Sequence, residues 1–155
     1  MATLSIHHIG VAVEDLDEAV RIWTTLVGAA VEHRDRVPDQ GVEAVSLRTG
    51  SGRVELLAPL EADTPVGRFL AKRGPGMHHV AFEVDDVAVE LERLRRDGVQ
   101  LIDEQPRRGL FGLEVAFVHP ESTGGVLAEL VAMSVGSTEL NKEQRPRLGR
   151  RRSGK

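Results

Sequence analysis

The sequence predicts an α+β fold in which two βαβββ repeats form a curved mixed sheet around a cavity. Three observations carry that expectation. Ser5-Ile6-His7-His8-Ile9-Gly10-Val11-Ala12-Val13 resembles Gly76-Met77-His78-His79-Val80-Ala81-Phe82-Glu83-Val84, and the interval from His8 to His79 recurs between Asp15 and Asp86. Each aspartate opens a stretch of helical periodicity. Each such stretch is followed by three β-like segments.

The first copy begins with the alternating strand around His8. Asp15 is placed to cap a helix, and Glu18 follows in a capping-box pattern. Leu16, Ala19, Val20, Trp23, Leu26 and Val27 form the apolar stripe of that helix, and Gly28 its stop. Trp23 lies on the stripe and reads as core. Strands are expected at Ala30–Asp35, Val42–Arg48 and Arg53–Ala58. Residues 61–75 form a linker, in which Thr64 and Pro65 open a short helix and Gly74 ends it. The second copy runs in the same order. After the His79 strand come the Asp86 cap, the stripe Val87, Leu91 and Leu94, and Gly98 as the stop. Strands follow at Gln100–Asp103, Leu113–His119 and Val126–Ala132. Repeat one thus covers residues 4–60 and repeat two residues 76–133, within a single domain of residues 1–133 built about a pseudo-twofold axis.

Composition narrows the function. The 155 residues are 41% hydrophobic and 28% charged, enough apolar matter for a sizeable core. Cysteine is absent, which excludes disulfides, thiolate metal sites and thiol nucleophiles. Aromatics make up only 3%, which disfavours base-stacking platforms and so a nucleic-acid partner. No apolar run is long enough for a membrane span, and the first residues lack the pattern of a signal peptide. A cytoplasmic location without membrane partners is expected. Residues 134–155 carry seven Lys and Arg against two Glu, so a basic, disordered tail is expected there.

Four polar residues break the apolar pattern at equivalent positions of the repeat. His8 and His79 lie on the first strand of each half, Glu55 and Glu129 on the last. A buried, unpaired carboxylate costs several kcal/mol or so, so two of them in apolar strands call for partners. If the first and last strands of each half are neighbours, the twofold brings two His and two Glu together. Imidazole and carboxylate suit Zn, Co, Ni, Mn or Fe(II), and two carboxylates balance the charge of a divalent ion. Period-two alternation turns His7 and His78 to the other face of their strands, outside such a site. His33 and His119 have no counterpart in the repeat; His119 precedes Pro120 and suits a turn.

The whole layout, over about residues 4–133, resembles the vicinal oxygen chelate, or glyoxalase-like, superfamily. Within it the chain is similar to the methylmalonyl-CoA epimerase family. The matching pieces are His8-Ile9-Gly10-Val11-Ala12-Val13, Pro38-Asp39-Gln40-Gly41-Val42, Val54-Glu55-Leu56-Leu57, His78-His79-Val80-Ala81-Phe82-Glu83-Val84 and His119-Pro120-Glu121-Ser122-Thr123-Gly124-Gly125 leading to Glu129. The resemblance implies metal ligands at His8, Glu55, His79 and Glu129, with Glu129 also the catalytic proton-transfer residue. It implies a divalent ion, commonly Co²⁺, an acyl-CoA thioester substrate, a homodimer and a place in propionyl-CoA metabolism. Arg107, Arg108 and Lys72 are candidates for CoA phosphate contacts.

One position departs from the family pattern. A second proton-transfer glutamate of some relatives falls here on Ala44, with Glu43 one residue earlier. A shift of one residue in a strand reverses the face, so Glu43 is expected to point away from the site unless a bulge intervenes. Glu55, Glu43 or an ordered water remain candidates for the second face. The competing readings are a glyoxalase-type isomerase, an extradiol dioxygenase, a non-enzymatic binding module of this fold and a tail-driven nucleic-acid binder.

Overall fold

The computed structural model describes residues 4–133; the expectation of a disordered tail falls on residues outside that range. Eight strands and three helices follow in the order β1 (Ser5–Ala12), α1 (Leu16–Val27), β2 (Ala30–Val37), β3 (Val42–Thr49), β4 (Gly52–Pro59), α2 (Pro65–Arg73), β5 (Gly76–Glu83), α3 (Val87–Arg96), β6 (Arg107–Arg108), β7 (Glu114–Val118) and β8 (Ala128–Ala132). All strands join one sheet in the order β2-β3-β4-β1-β5-β8-β7-β6. The two repeats meet at the antiparallel β1–β5 pair, and each repeat pairs its first and last strands in parallel. That adjacency is the condition under which the His and Glu residues of a half can meet.

The caps act as the sequence predicts. Asp15 accepts from the Glu18 amide, Asp86 from Val89 and Thr64 from Gly67, so each satisfies an orphan donor of its helix. Only half of the capping box is present among the described hydrogen bonds, and the Glu18 carboxylate lies 4.0 Å from Arg21. The stripe of α1 is shorter than expected. Leu16 and Ala19 are buried and Val20 and Trp23 pack on the core, while Leu26 and Val27 in the last turn are exposed.

Strand alternation sorts the interior into two faces. Ile9, Val11, Val45, Leu47, Val54 and Leu56 pack under α1. Phe82, Ala116, Val118, Ala128, Leu130 and Ala132 pack under α3. The opposite face of the sheet carries Ala12, Val42, Ala44 and Leu57, covered by Val66 of α2 and by Leu110. Helices α1 and α3 thus take one face and leave the other to the site. Among the described residues, no helix is long and apolar enough to cross a membrane.

One expected strand is absent. Gln100–Asp103 makes a single bridge, Leu101 to Val118, and the edge strand is Arg107–Arg108 instead. The Asp103 side chain accepts from the Phe117 amide at 2.8 Å and takes up a donor that a ladder partner would have used. Aspartate competes with the backbone in this way, which is why it is rare in strands.

Candidate metal centre and acyl cavity

The site is built on the four central strands. Glu55 of β4 stands in register with Gly10 of β1, and Glu129 of β8 with Ala81 of β5. His8 and Glu55 therefore project from neighbouring strands, as do His79 and Glu129. The β1–β5 pairing joins the two sets. The His8 and His79 Nε2 atoms are 3.0 Å apart. Glu129 Oε2 lies 3.3 Å from His8 Nε2 and 3.1 Å from His79 Nε2. Glu55 Oε2 lies 3.3 Å from His8 Nε2. The residue exposures are 3% for His8, 4% for His79, 5% for Glu55 and 6% for Glu129. The structure thus brings all four sequence-predicted residues together. His8, His79 and Glu129 form the tighter group, with one ligand atom of each within 4.8 Å of the others.

Gly10 makes the arrangement fit. A Cβ there would stand 2.1 Å from Cε1 of His79, far inside van der Waals contact. The bare backbone lets the His79 imidazole lie across β1.

Burial and charge compete at this point. Burial pushes the Glu55 carboxyl above its ordinary range, and the Glu129 charge adds to that. Burial also opposes the ionised form of Glu129, but hydrogen bonds from His79 and His8 outweigh it and hold the carboxyl low, at about 2. His8 is raised despite burial, through its hydrogen bond to Glu129 and the charge of Glu55. Ligand atoms of His8, His79 and Glu129 converge on one buried point, with Glu55 beside His8, and this donor set fits a divalent metal ion.

The period-two expectation for His7 and His78 is corrected. From Ile6–Phe82 to His8–Ala81, β1 advances two residues and β5 one; from Gly10–His79 to Val11–Met77 the count reverses. His7 and His78 are therefore the extra residues of two bulges, related by the repeat. A bulge sets two residues against one and interrupts the alternation. Each doublet partner then reaches its neighbour: His7 Nδ1 lies 2.8 Å from His8 Nδ1, and His78 Nδ1 lies 3.0 Å from His79 Nδ1. Burial, reinforced by the adjacent ring, lowers both His7 and His78 to about 4.

Glu43 does point away. The β3–β4 register runs unbroken from Val42–Pro59 to Thr49–Gly52, so Glu43 shares a face with Val45 and Leu47. Its carboxylate is held by Arg34 at 3.0 Å, while Ala44 is buried on the cavity side. His33 packs against the Phe111 ring, and His119 accepts from the Glu121 amide in a turn. Neither reaches the site.

The four residues line a cavity of about 110 Å³. Its other walls include Leu57, Val66, Leu110, Leu113, Val115 and Phe117, with Asp39, Gln40, His78 and Arg107. Gln40, in the Pro38–Val42 motif, gains a role only from the structure. Its Nε2 is a buried side-chain donor with no partner among the described residues. Such a group is costly unless a ligand satisfies it. Arg107 pairs with Asp103 and lies over the Phe117 ring. Lys72 lines a separate groove on α2, and Arg108 a shallow one beside β7.

The sequence model of the glyoxalase/bleomycin resistance protein/dioxygenase superfamily matches residues 7–117. The chain belongs to that superfamily. Its relatives within the superfamily include the mitochondrial methylmalonyl-CoA epimerase of Bos taurus, 38% identical over 81% of this chain and 72% of the relative. The protein YqjC of Bacillus subtilis is 42% identical over 79% of this chain and 88% of its own. A solved methylmalonyl-CoA epimerase in complex with methylmalonyl-CoA and NH4+ superimposes with a TM-score of 0.83 at 36% identity, covering 86% of this chain and 97% of that one. The curled, mixed eight-stranded sheet and its three helices are the superfamily's architecture.

Proposed function

We propose that the protein is a metal-dependent methylmalonyl-CoA epimerase, interconverting the 2R and 2S forms of an acyl-CoA thioester. The observation that carries this is the buried two-His, two-Glu cluster opening onto an apolar cavity. Similarity to epimerases over 81% of the chain supports it. A drug-sequestering module would have no use for two buried carboxylates. A dioxygenase site is typically built with one carboxylate rather than two.

His8, His79, Glu129 and Glu55 would hold the ion, with Co²⁺ the first candidate and Zn²⁺, Mn²⁺, Ni²⁺ or Fe²⁺ compatible with the donors. When bound, a divalent ion supplies Lewis-acid stabilisation to the enolate oxygen of the thioester. Glu129 is the residue that exchanges the C2 proton on one face, which requires its free oxygen within about 3 Å of that hydrogen. Glu55 is the residue that can serve the second face, because Glu43 lies on the far side of β3. The unpaired Gln40 amide would donate to a substrate oxygen and orient the C2–H bond. Leu57, Val66, Leu110 and Val115 keep water from the carbanion. A cavity of about 110 Å³ suits the acyl end, and the CoA arm would extend outside it. A homodimer and a place in propionyl-CoA metabolism accompany this reading.

The test is proton exchange. Protein stripped of metal and reloaded with Co²⁺ is incubated with one epimer of methylmalonyl-CoA in D₂O, and the C2 proton is followed by NMR. Metal-dependent loss of that signal, with growth of the other epimer, is expected. Exchange no faster than background would move the function to another branch of the superfamily.

A further inference from the structure

We propose that His7 and His78 are positioning residues that each accept a hydrogen bond from Nδ1–H of the adjacent ligand histidine and so keep that ligand's Nε2 bare for the metal. The proposal rests on the ligand assignment above and concerns which nitrogen carries the proton.

A neutral imidazole carries one proton on one of two nitrogens. His8 and His79 face each other through Nε2 at 3.0 Å, with Glu129 beside both. Coordination from that side requires Nε2 to be unprotonated, so the proton of each ring must sit on Nδ1. There it meets another ring nitrogen: Nδ1 of His7 at 2.8 Å and Nδ1 of His78 at 3.0 Å. Each such contact holds one proton between two nitrogens. The acceptor nitrogen is therefore bare, and His7 and His78 carry their own protons on Nε2. The reverse arrangement would place Nε2–H of His8 and His79 against each other across the site.

Both contacts have the same design. The rings of each pair stand nearly perpendicular, at 77° and 88°, which excludes face-to-face stacking as the reason for the approach. Phe69 of α2 packs edge-on against His78 and fixes its plane. The two bulges exist at these two residues, and without them alternation would carry both rings to the helix-covered face. Ligand histidines usually donate their second N–H to a carboxylate or carbonyl. A neutral imidazole serves here without adding a third negative charge near Glu55 and Glu129.

Two double variants test this: His7→Leu with His78→Leu, which removes both acceptors, and His7→Asn with His78→Asn, which offers an oxygen near each Nδ1 position. Co²⁺ affinity is read from its visible absorption. The leucine variant should bind about 10- to 100-fold more weakly, as for other partners of ligand histidines, and the asparagine variant should regain most of the loss. In Zn²⁺-loaded, ¹⁵N-histidine-labelled wild type, Nδ1 of His8 and His79 should be protonated and Nδ1 of His7 and His78 bare, with nitrogen–nitrogen coupling across each bond. Unchanged affinity in the leucine variant, no rescue by asparagine, or a proton on Nδ1 of His7 or His78 would overturn the proposal. If the wild type takes up neither ion, the ligand assignment fails by itself. The proposal then falls with it, because no ligand nitrogen is left to be kept bare.

Discussion

Replacing Gly10 by alanine should cost the protein its metal rather than its fold. The added Cβ would lie 2.1 Å from Cε1, 2.4 Å from Nδ1 and 2.7 Å from Nε2 of His79. Carbon atoms settle at about 3.5–4.0 Å, so the ring must retreat by about 1.4 Å or more. The colliding atoms belong to the His79 side chain and not to backbone, so the ring rather than β1 must give. Alanine is even favoured over glycine inside a strand, by roughly 0.5–1 kcal/mol. A ligand distance, in contrast, tolerates only about 0.2 Å of error. We therefore expect a native circular dichroism spectrum and a melting temperature near that of wild type. Co²⁺ affinity should fall by about 100-fold or more, equivalent to about 2.8 kcal/mol at 1.4 kcal/mol per decade. Epimerisation should fall with it and be only partly restored by excess Co²⁺. A Gly10→Ala protein that binds Co²⁺ like wild type would refute both the placement of His79 and its role as a ligand.

Glu129→Gln, assayed at saturating Co²⁺, should slow C2 proton exchange by about 10²–10⁴-fold, the usual worth of a positioned base; exchange at the wild-type rate would remove Glu129 from that role. Glu43→Gln should leave turnover unchanged, because its carboxylate is bound to Arg34 on the far face of β3; a loss of about tenfold, ~1.4 kcal/mol, would return Glu43 to the mechanism. Glu32→Gln tests the edge of the sheet. Burial alone would raise the Glu32 carboxyl, but hydrogen bonds from Arg48 and Arg53, both at 2.8 Å, leave it lowered. A carboxyl depressed in the folded state stabilises above its unfolded value and loses that contribution as pH falls through the folded one. The variant should therefore lose about 1 kcal/mol in urea unfolding at pH 7 and almost nothing at acid pH; an equal loss at both would contradict the ion-pair assignment.

Much of this protein is determined by the sequence alone, because local signals carry the information. Asp15, Thr64 and Asp86 cap helices through side chains that reach only three residues ahead. The repeat pairs His8 with His79 and Glu55 with Glu129 before any coordinate is known, since equivalent positions in two copies of one unit must meet equivalent surroundings. The face of Glu43 follows from counting along β3. Other features depend on partners far away in the chain. Strand pairing decided that Gln100–Asp103 is a bridge and Arg107–Arg108 the edge strand. A bulge is a mismatch between two strands, so no pattern within β1 or β5 could show that His7 and His78 turn toward the ligand histidines. The doublet, present in both copies, was the one available hint. The absent side chain of Gly10 and the unpaired amide of Gln40 acquire meaning only from what tertiary packing sets beside them: an imidazole in one case, a cavity in the other.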